Sequence, residues 1–466
     1  MANVTDTTVS DSTDPGEDKT ELKRVMGPAL LLLFVVGDVL GTGIYALTGK
    51  VAAEVGTVVW LPFVISFSLA AVTACSYLEL VTKYPRAAGA ALYTEKAFGI
   101  HFVTFLVAFA VMSSGITSAA TASAAFGENF LKTVGWSPEW MGVTAVGLVF
   151  VGLMALVNLR GVSESVWLNV VFTCVELTGL LFIVLIGVWA FGGLSGVEAD
   201  FSRALDFSSG EGDKGLFGPV IAATTLAFFA MVGFEDSVNM AEEAKNPRKT
   251  FPFVLLTGLA IAAVLYVLVS IIAVALVPIE ELGEGATPLL KVVEIGAPWL
   301  PAGVFGVVTM LAVGNSALIN MLMASRLLYG MGNEGVLPKL FSKVHSERKV
   351  PYVAIIFTSL LAAGLILFVG AVPELGGTTA LLLLAVFTVV NLSVLVLRRK
   401  EDEDAKSDHF RSPWGLPWVG MISCAFFVGP WTGRDPVQYL IAAALIGIGV
   451  VLWIGTVMFM RRSDDG

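Results

Sequence analysis

The chain has 466 residues, 56% hydrophobic and 14% charged, with a formal net charge of −10 and a mean hydropathy of +0.83. A soluble protein carries roughly 25% charged residues, so the composition excludes an ordinary globular protein and describes an all-α polytopic membrane protein. The acidic balance argues against a nucleic-acid partner. Three cysteines within apolar runs (Cys75, Cys174, Cys424) and three scattered histidines suggest no disulfide framework, metal motif or cofactor.

Residues 1–24 are polar and acidic and lack the layout of a signal peptide. They read as a disordered cytoplasmic tail. Apolar stretches then recur about twelve times, near 28–48, 57–82, 100–126, 141–159, 166–192, 217–240, 252–277, 302–330, 352–371, 374–397, 415–431 and 437–460. Residues 25–397 form the expected membrane core, in two halves (25–192 and 217–397). Residues 398–466 add a cytoplasmic linker and two further spans.

The first span holds Gly37, Asp38, Gly41, Thr42 and Gly43. Glycines and an acid weaken a helix where lipid demands one. Such a break is tolerated only where the freed N–H and C=O groups meet protein, water or a ligand. A buried Asp38 is expected to be protonated or paired. It reads either as a counter-charge or proton site, or as a structural acid bonded to the broken backbone.

Further along, span 3 carries Ser113, Ser114, Thr117 and Ser118, which suit helix packing. Span 5 carries Glu176 near its middle, a position for a proton or a cation. Span 6 is interrupted at Gly233, Glu235 and Asp236. Glu235 reads as a coupling acid or as a stabiliser of unwound chain, and Asp236 as a residue starting a helix. Span 8 adds Asn315, Ser316 and Asn320.

Two Gly-interrupted spans in matching positions of two halves point to a transport site. N–H groups at one break suit an anion and carbonyls at the other suit a cation. Facing breaks can therefore hold a zwitterion such as an α-amino acid. With the N-terminus inside, only Lys50, Lys132, Arg203, Lys214, Lys291 and Arg434 of the 28 Lys and Arg fall in outer segments. The positive-inside rule then puts both termini in the cytoplasm and supports an even number of crossings.

Several ordered motifs carry a family resemblance. Gly41-Thr42-Gly43-Ile44-Tyr45, Tyr84-Pro85-Arg86, Asn158-Leu159-Arg160-Gly161-Val162 and Phe229 to Glu235 followed by Glu242, Glu243, Asn246 and Pro247 are four of them. Ser325-Arg326 with Gly335-Val336-Leu337-Pro338 is a fifth. Together they resemble the amino acid–polyamine–organocation superfamily. That resemblance implies twelve transmembrane helices with a LeuT-like 5+5 inverted repeat, broken helices 1 and 6, and alternating access. It implies that the N–H groups of Gly41, Thr42 and Gly43 bind a substrate carboxylate. Carbonyls around Phe229, Val232 and Gly233 would bind the amino group, and Phe229 would close over it as a gate.

At Glu176 the chain departs from relatives that have a lysine, so their lysine-based coupling does not carry over. The resulting expectation is a secondary transporter of an amino acid or related amine in the plasma membrane, proton-coupled or exchanging. Asp38, Glu176 and Glu235 are the coupling candidates. A polyamine or cationic amino acid exchanger is the alternative, and a solute sensor or channel belongs to another class. An intramembrane enzyme using Asp38 and Glu235 would lack any recognisable catalytic motif, and no G-x-x-x-x-G-K-[ST] for ATP is present.

Overall fold

The computed structural model describes residues 26–86, 89–193, 199–207, 215–241, 244–285, 287–333, 337–370, 372–400 and 409–464. The acidic tail, Glu211, Asp213, Lys214, Glu242, Glu243, Gly335 and Val336 lie outside the described residues. Among the described residues there is no strand, only a bridge from Met26 to Ala244.

Sixteen α-helices follow one another in the described residues. They are α1 (Pro28–Thr42), α2 (Thr48–Val55), α3 (Trp60–Lys83), α4 (Gly89–Phe98), α5 (His101–Thr133), α6 (Trp140–Arg160), α7 (Val162–Phe191) and α8 (Phe217–Ala227). The remainder are α9 (Pro247–Leu276), α10 (Ile279–Leu282), α11 (Pro288–Gly296), α12 (Ala302–Asn333), α13 (Tyr352–Phe368), α14 (Val372–Arg399), α15 (Leu416–Val428) and α16 (Pro436–Asp464).

Among the described residues, ten helical segments are long and apolar enough to cross a bilayer, and all ten coincide with spans expected from sequence. The other two expected spans, α13 and α15, are apolar but shorter, at 17 and 13 residues. A 3-10 turn over Pro430–Thr432 extends the chain beyond α15.

Burial sorts the helices. The first span and α12 are each 83% buried over their apolar windows, while α6 and α16 are 28% buried. The outer pair presents Val149, Leu153, Leu156, Leu440, Val451 and Ile454, as a lipid-facing helix must. Inside, α5 packs along α12, α3 along α9, and α1 against α7 and α9. Glycines permit the closest approaches: a Cβ on Gly37 would fall 1.8 Å from Thr173 Oγ1 of α7.

Exposed tryptophans cluster at span ends. Trp136, Trp140, Trp167, Trp189, Trp299, Trp414 and Trp431 lie at or near helix ends. Amphipathic indoles are enriched at the two bilayer interfaces.

Arg398 of α14 grips Glu79 of α3 through two hydrogen bonds, at 2.8 and 2.5 Å. The same guanidinium reaches the carbonyl and hydroxyl of Ser412, whose N–H donates back to Glu79 at 2.8 Å. The segment entering α15 is thereby tied to both helices.

Candidate functional site

The first span breaks as expected, at a narrower place than the glycine spacing suggests. Gly37 stays helical, and its missing side chain leaves room for Thr173. The helix leaves its path at Gly41 (φ −30, ψ −146). A π-helical turn over Gly43–Leu47 follows, and α2 resumes at Thr48. Breaking a helix orphans backbone groups on both sides, and two neighbouring helices, α9 and α12, take them up. Asn315 Nδ2 donates to Gly37 O at 3.2 Å and Tyr266 Oη donates to Val39 O at 2.5 Å. The Thr42 N–H donates to Ser316 Oγ at 2.9 Å. Asn315 is itself held by Asn169 at 3.0 Å and contacts Thr173 at 3.3 Å.

The second break falls at the expected residues. Helix α8 tightens into a 3-10 turn over Phe228–Met231, then opens to an extended Val232 (ψ 143). Gly233 follows at φ +125, where a side chain is strained and glycine is not. The chain continues as a 3-10 turn over Asp236–Met240. The expected α-helical second half of this span is therefore only a turn among the described residues. Glu235 helps to hold it: its Oε2 accepts the Gly233 N–H at 3.0 Å. Phe234 anchors the turn among Tyr77 and Phe387, with ring centroids 5.8 and 5.3 Å away.

The two breaks touch each other at two points. A Cβ on Gly43 would lie 2.3 Å from Ala230 Cα, so these main chains are in contact. A Cβ on Gly233 would lie 2.7 Å from the Asp38 carbonyl carbon and 3.0 Å from its Cγ. Residues separated by nearly half the chain thus form one centre, built largely of backbone.

Its polar side chains are buried and incompletely bonded. Asp38 is 4% exposed, and neither carboxyl oxygen has a hydrogen-bond partner. The titratable groups that act on it include Asp236, Glu235 and Glu176, all acidic. The Thr42 hydroxyl is also buried without a partner. Glu176 is fully buried with both carboxyl oxygens unpartnered, beside Asn315, while its backbone carbonyl accepts the Tyr45 hydroxyl at 2.9 Å. Glu235 also borders a cavity of about 10 Å3, with Tyr77 and Asn239 among its lining. That is room for the centre of about one water.

The expected substrate-binding residues fall on these two breaks with some of their backbone groups engaged. Ser316 holds the Thr42 N–H. The Phe229 carbonyl accepts Val232 N at 3.3 Å, and the Gly233 carbonyl accepts Asp236 N at 3.0 Å. Each carbonyl keeps a second lone pair for a ligand. Phe229 is buried against Gly376 of α14, where a Cβ would sit 3.5 Å from its Cγ. Of the polar residues of span 3, Ser114 and Thr117 bond their own helix and Thr117 meets Thr379 of α14 at 2.6 Å, while the Ser113 hydroxyl is buried without a partner. Sequence reasoning missed Tyr266 and Asn169. Only their place among apolar neighbours in long spans marks them, and neither has a partner nearby in the chain.

Residues 30–457 match the family model described as amino acid permease. The methylthioribose transporter of Bacillus subtilis (strain 168) is 28% identical over 455 residues, covering 93% of each chain. The branched-chain amino acid permease BcaP of the same organism is 27% identical, over 87% of this chain and 88% of its own. Cationic amino acid transporter 4 of Homo sapiens is 30% identical, over 84% of this chain and 62% of its own.

Proposed function

Because the chain belongs to the amino acid permease family, we propose that it carries an amino acid across the cell membrane by alternating access, using the two touching breaks as the binding centre. It is a multi-pass membrane transporter. The observation that carries the proposed site is the double contact of Gly43 with Ala230 and of Gly233 with Asp38. It brings the two breaks, and with them the proposed binding groups, into one place.

The substrate carboxylate is bound at Gly41, Thr42 and Gly43, with the Thr42 hydroxyl as an added donor. To reach the Thr42 N–H it displaces Ser316. The substrate amino group is bound by carbonyls around Phe229, Val232 and Gly233. Phe229 closes over both. Inverted repeats, twelve crossings and cytoplasmic termini complete the scheme. They are supported by the paired breaks, the apolar segments, the tryptophan ends and the lysine–arginine bias.

The side-chain end of the substrate meets an acidic environment. Asp38, Glu176, Glu235 and Asp236 are the acidic side chains that act on one another in this region. This favours an amino acid with a cationic side chain. Among the four, Glu235 stabilises the second break through Gly233. Asp38 and Glu176 have unbonded oxygens, and they are the groups to pair with a cation or carry a coupling proton. Electrostatic contact with a buried acid is worth more than the same contact in water.

Counterflow in proteoliposomes tests the reading. Labelled arginine or lysine is expected to exchange faster than leucine, and an inward proton gradient is expected to raise accumulation. Faster exchange of leucine would overturn the cationic preference. Absence of counterflow with any amino acid would overturn the carrier itself.

A further inference from the structure

Away from the centre, an arginine is buried in the corner between α15 and α16. Arg434 is 6% exposed. Its guanidinium donates to the Phe427 carbonyl at 3.1 Å, the Gly377 carbonyl at 3.0 Å and Gln438 Oε1 at 3.1 Å. All three acceptors are neutral, and Nη2 has no hydrogen-bond partner. Burying a cation without a counter-charge is costly. A carbonyl can be capped by a neutral donor, so satisfying three acceptors does not by itself call for an arginine.

The corner bears on helix α14. A Cβ on Gly377 would lie 2.3 Å from Gln438 Nε2, so the helix backbone and the corner are in direct contact. The next residue towards the start of α14 faces another way. A Cβ on Gly376 would lie 3.1 Å from Leu47 Cδ1 and 3.5 Å from Phe229 Cγ. Two adjacent glycines thus put one turn of α14 between Phe229 and the Arg434 corner. The corner also reaches the other flank: Gly433 (φ +75) packs near Ala222 of α8, the helix that leads into Phe229.

We propose that Arg434 is a positioning residue for the Phe229 lid, bracing the α14 backbone against which Phe229 rests so that the α15–α16 corner sets how readily that side of the site opens. The two appended helices then act on transport without touching substrate. The inference rests on the reading of Phe229 as a lid.

The test follows a single cysteine at Leu47→Cys, with Cys75, Cys174 and Cys424 replaced, labelled by a membrane-impermeant maleimide in sealed vesicles. Adding Arg434→Gln is expected to raise the labelling rate by about fivefold or more, as a shift of roughly 1 kcal/mol in the opening equilibrium gives. A control cysteine at Ala273→Cys on α9 is expected to keep its rate. Should Arg434→Gln fail to fold, Gly377→Ala, whose methyl displaces Gln438, is expected to give the same rise. An unchanged rate at Leu47→Cys, or an equal rise at both cysteines, would overturn the proposal. No substrate enters the measurement, so its failure and the failure of amino acid transport are separate results.

Discussion

The Thr42 N–H and the Ser316 hydroxyl form a 2.9 Å hydrogen bond that joins the first break to α12. A Cβ on Gly41 would sit 1.8 Å from the same hydroxyl. Ser316 therefore occupies the ground that a substrate carboxylate is proposed to take, and the two compete. Replacing it as Ser316→Ala removes the competitor. One neutral hydrogen bond is worth about 0.5–1.5 kcal/mol net. The Michaelis constant for the transported amino acid is expected to fall by about twofold to tenfold. A rise in that constant measured by counterflow would identify Ser316 as a support of the site instead.

The contact between the breaks leaves no room at Gly43. Gly43→Ala drives a methyl into Ala230, and overpacking of this kind costs about 1–3 kcal/mol. Transport is expected to drop on the order of tenfold or more, while the protein still reaches the membrane. Gly27→Ala, at a glycine with open space around it, is expected to transport normally. Uptake of both variants, normalised to surface expression, decides the matter.

Asp38 gives a prediction in pH. If it pairs with the substrate cation as a carboxylate, lowering the pH through its titration protonates it and uptake falls. In Asp38→Asn that fall disappears and the rate is low throughout. Initial rates between pH 5 and 8 check this. Unchanged uptake across that range would remove Asp38 from the mechanism.

Glu176 separates binding from coupling. It is fully buried, its carboxyl oxygens are unpartnered, and span 5 reaches the first break through Thr173 and Asn315. Glu176→Gln is expected to retain counterflow but lose the response to a proton gradient. Equal loss of both would point to a structural or substrate-binding role.

Stability should depend on the Glu79–Arg398–Ser412 tie. Glu79→Gln leaves a largely buried guanidinium without its charge partner. Breaking a buried pair in this way costs about 3–5 kcal/mol. A lower unfolding temperature in detergent is the expected outcome, with the Michaelis constant little changed.

The paired breaks were legible because glycine and acid inside an apolar run contradict what lipid requires of a helix. The motifs around Gly41 and Gly233 then located the centre to within a few residues. What stabilises the breaks was not legible. Tyr266 reaches Val39 from 227 positions away and Ser316 reaches Thr42 from 274 positions away. Nothing in local spacing distinguishes such residues from ordinary packing polar groups. Gly37 shows the converse: counted by sequence among the break-forming glycines, it is spent on a helix contact. Glu235 carried two readings, and its bond to Gly233 supports the stabilising one.

The centre is made where side chains are missing. Gly43 and Gly233 bring main chain against main chain, so in the proposed binding mode the part of an amino acid common to all its kinds meets the part of a protein common to all residues. The variable ends, on substrate and on transporter, are left to face one another separately. A scaffold divided in this way can change its cargo by altering Asp38 or its acidic neighbours while the grip on the shared backbone stays as it is. Substrate choice can then drift across descendants of one fold without each having to reinvent how an amino acid is held.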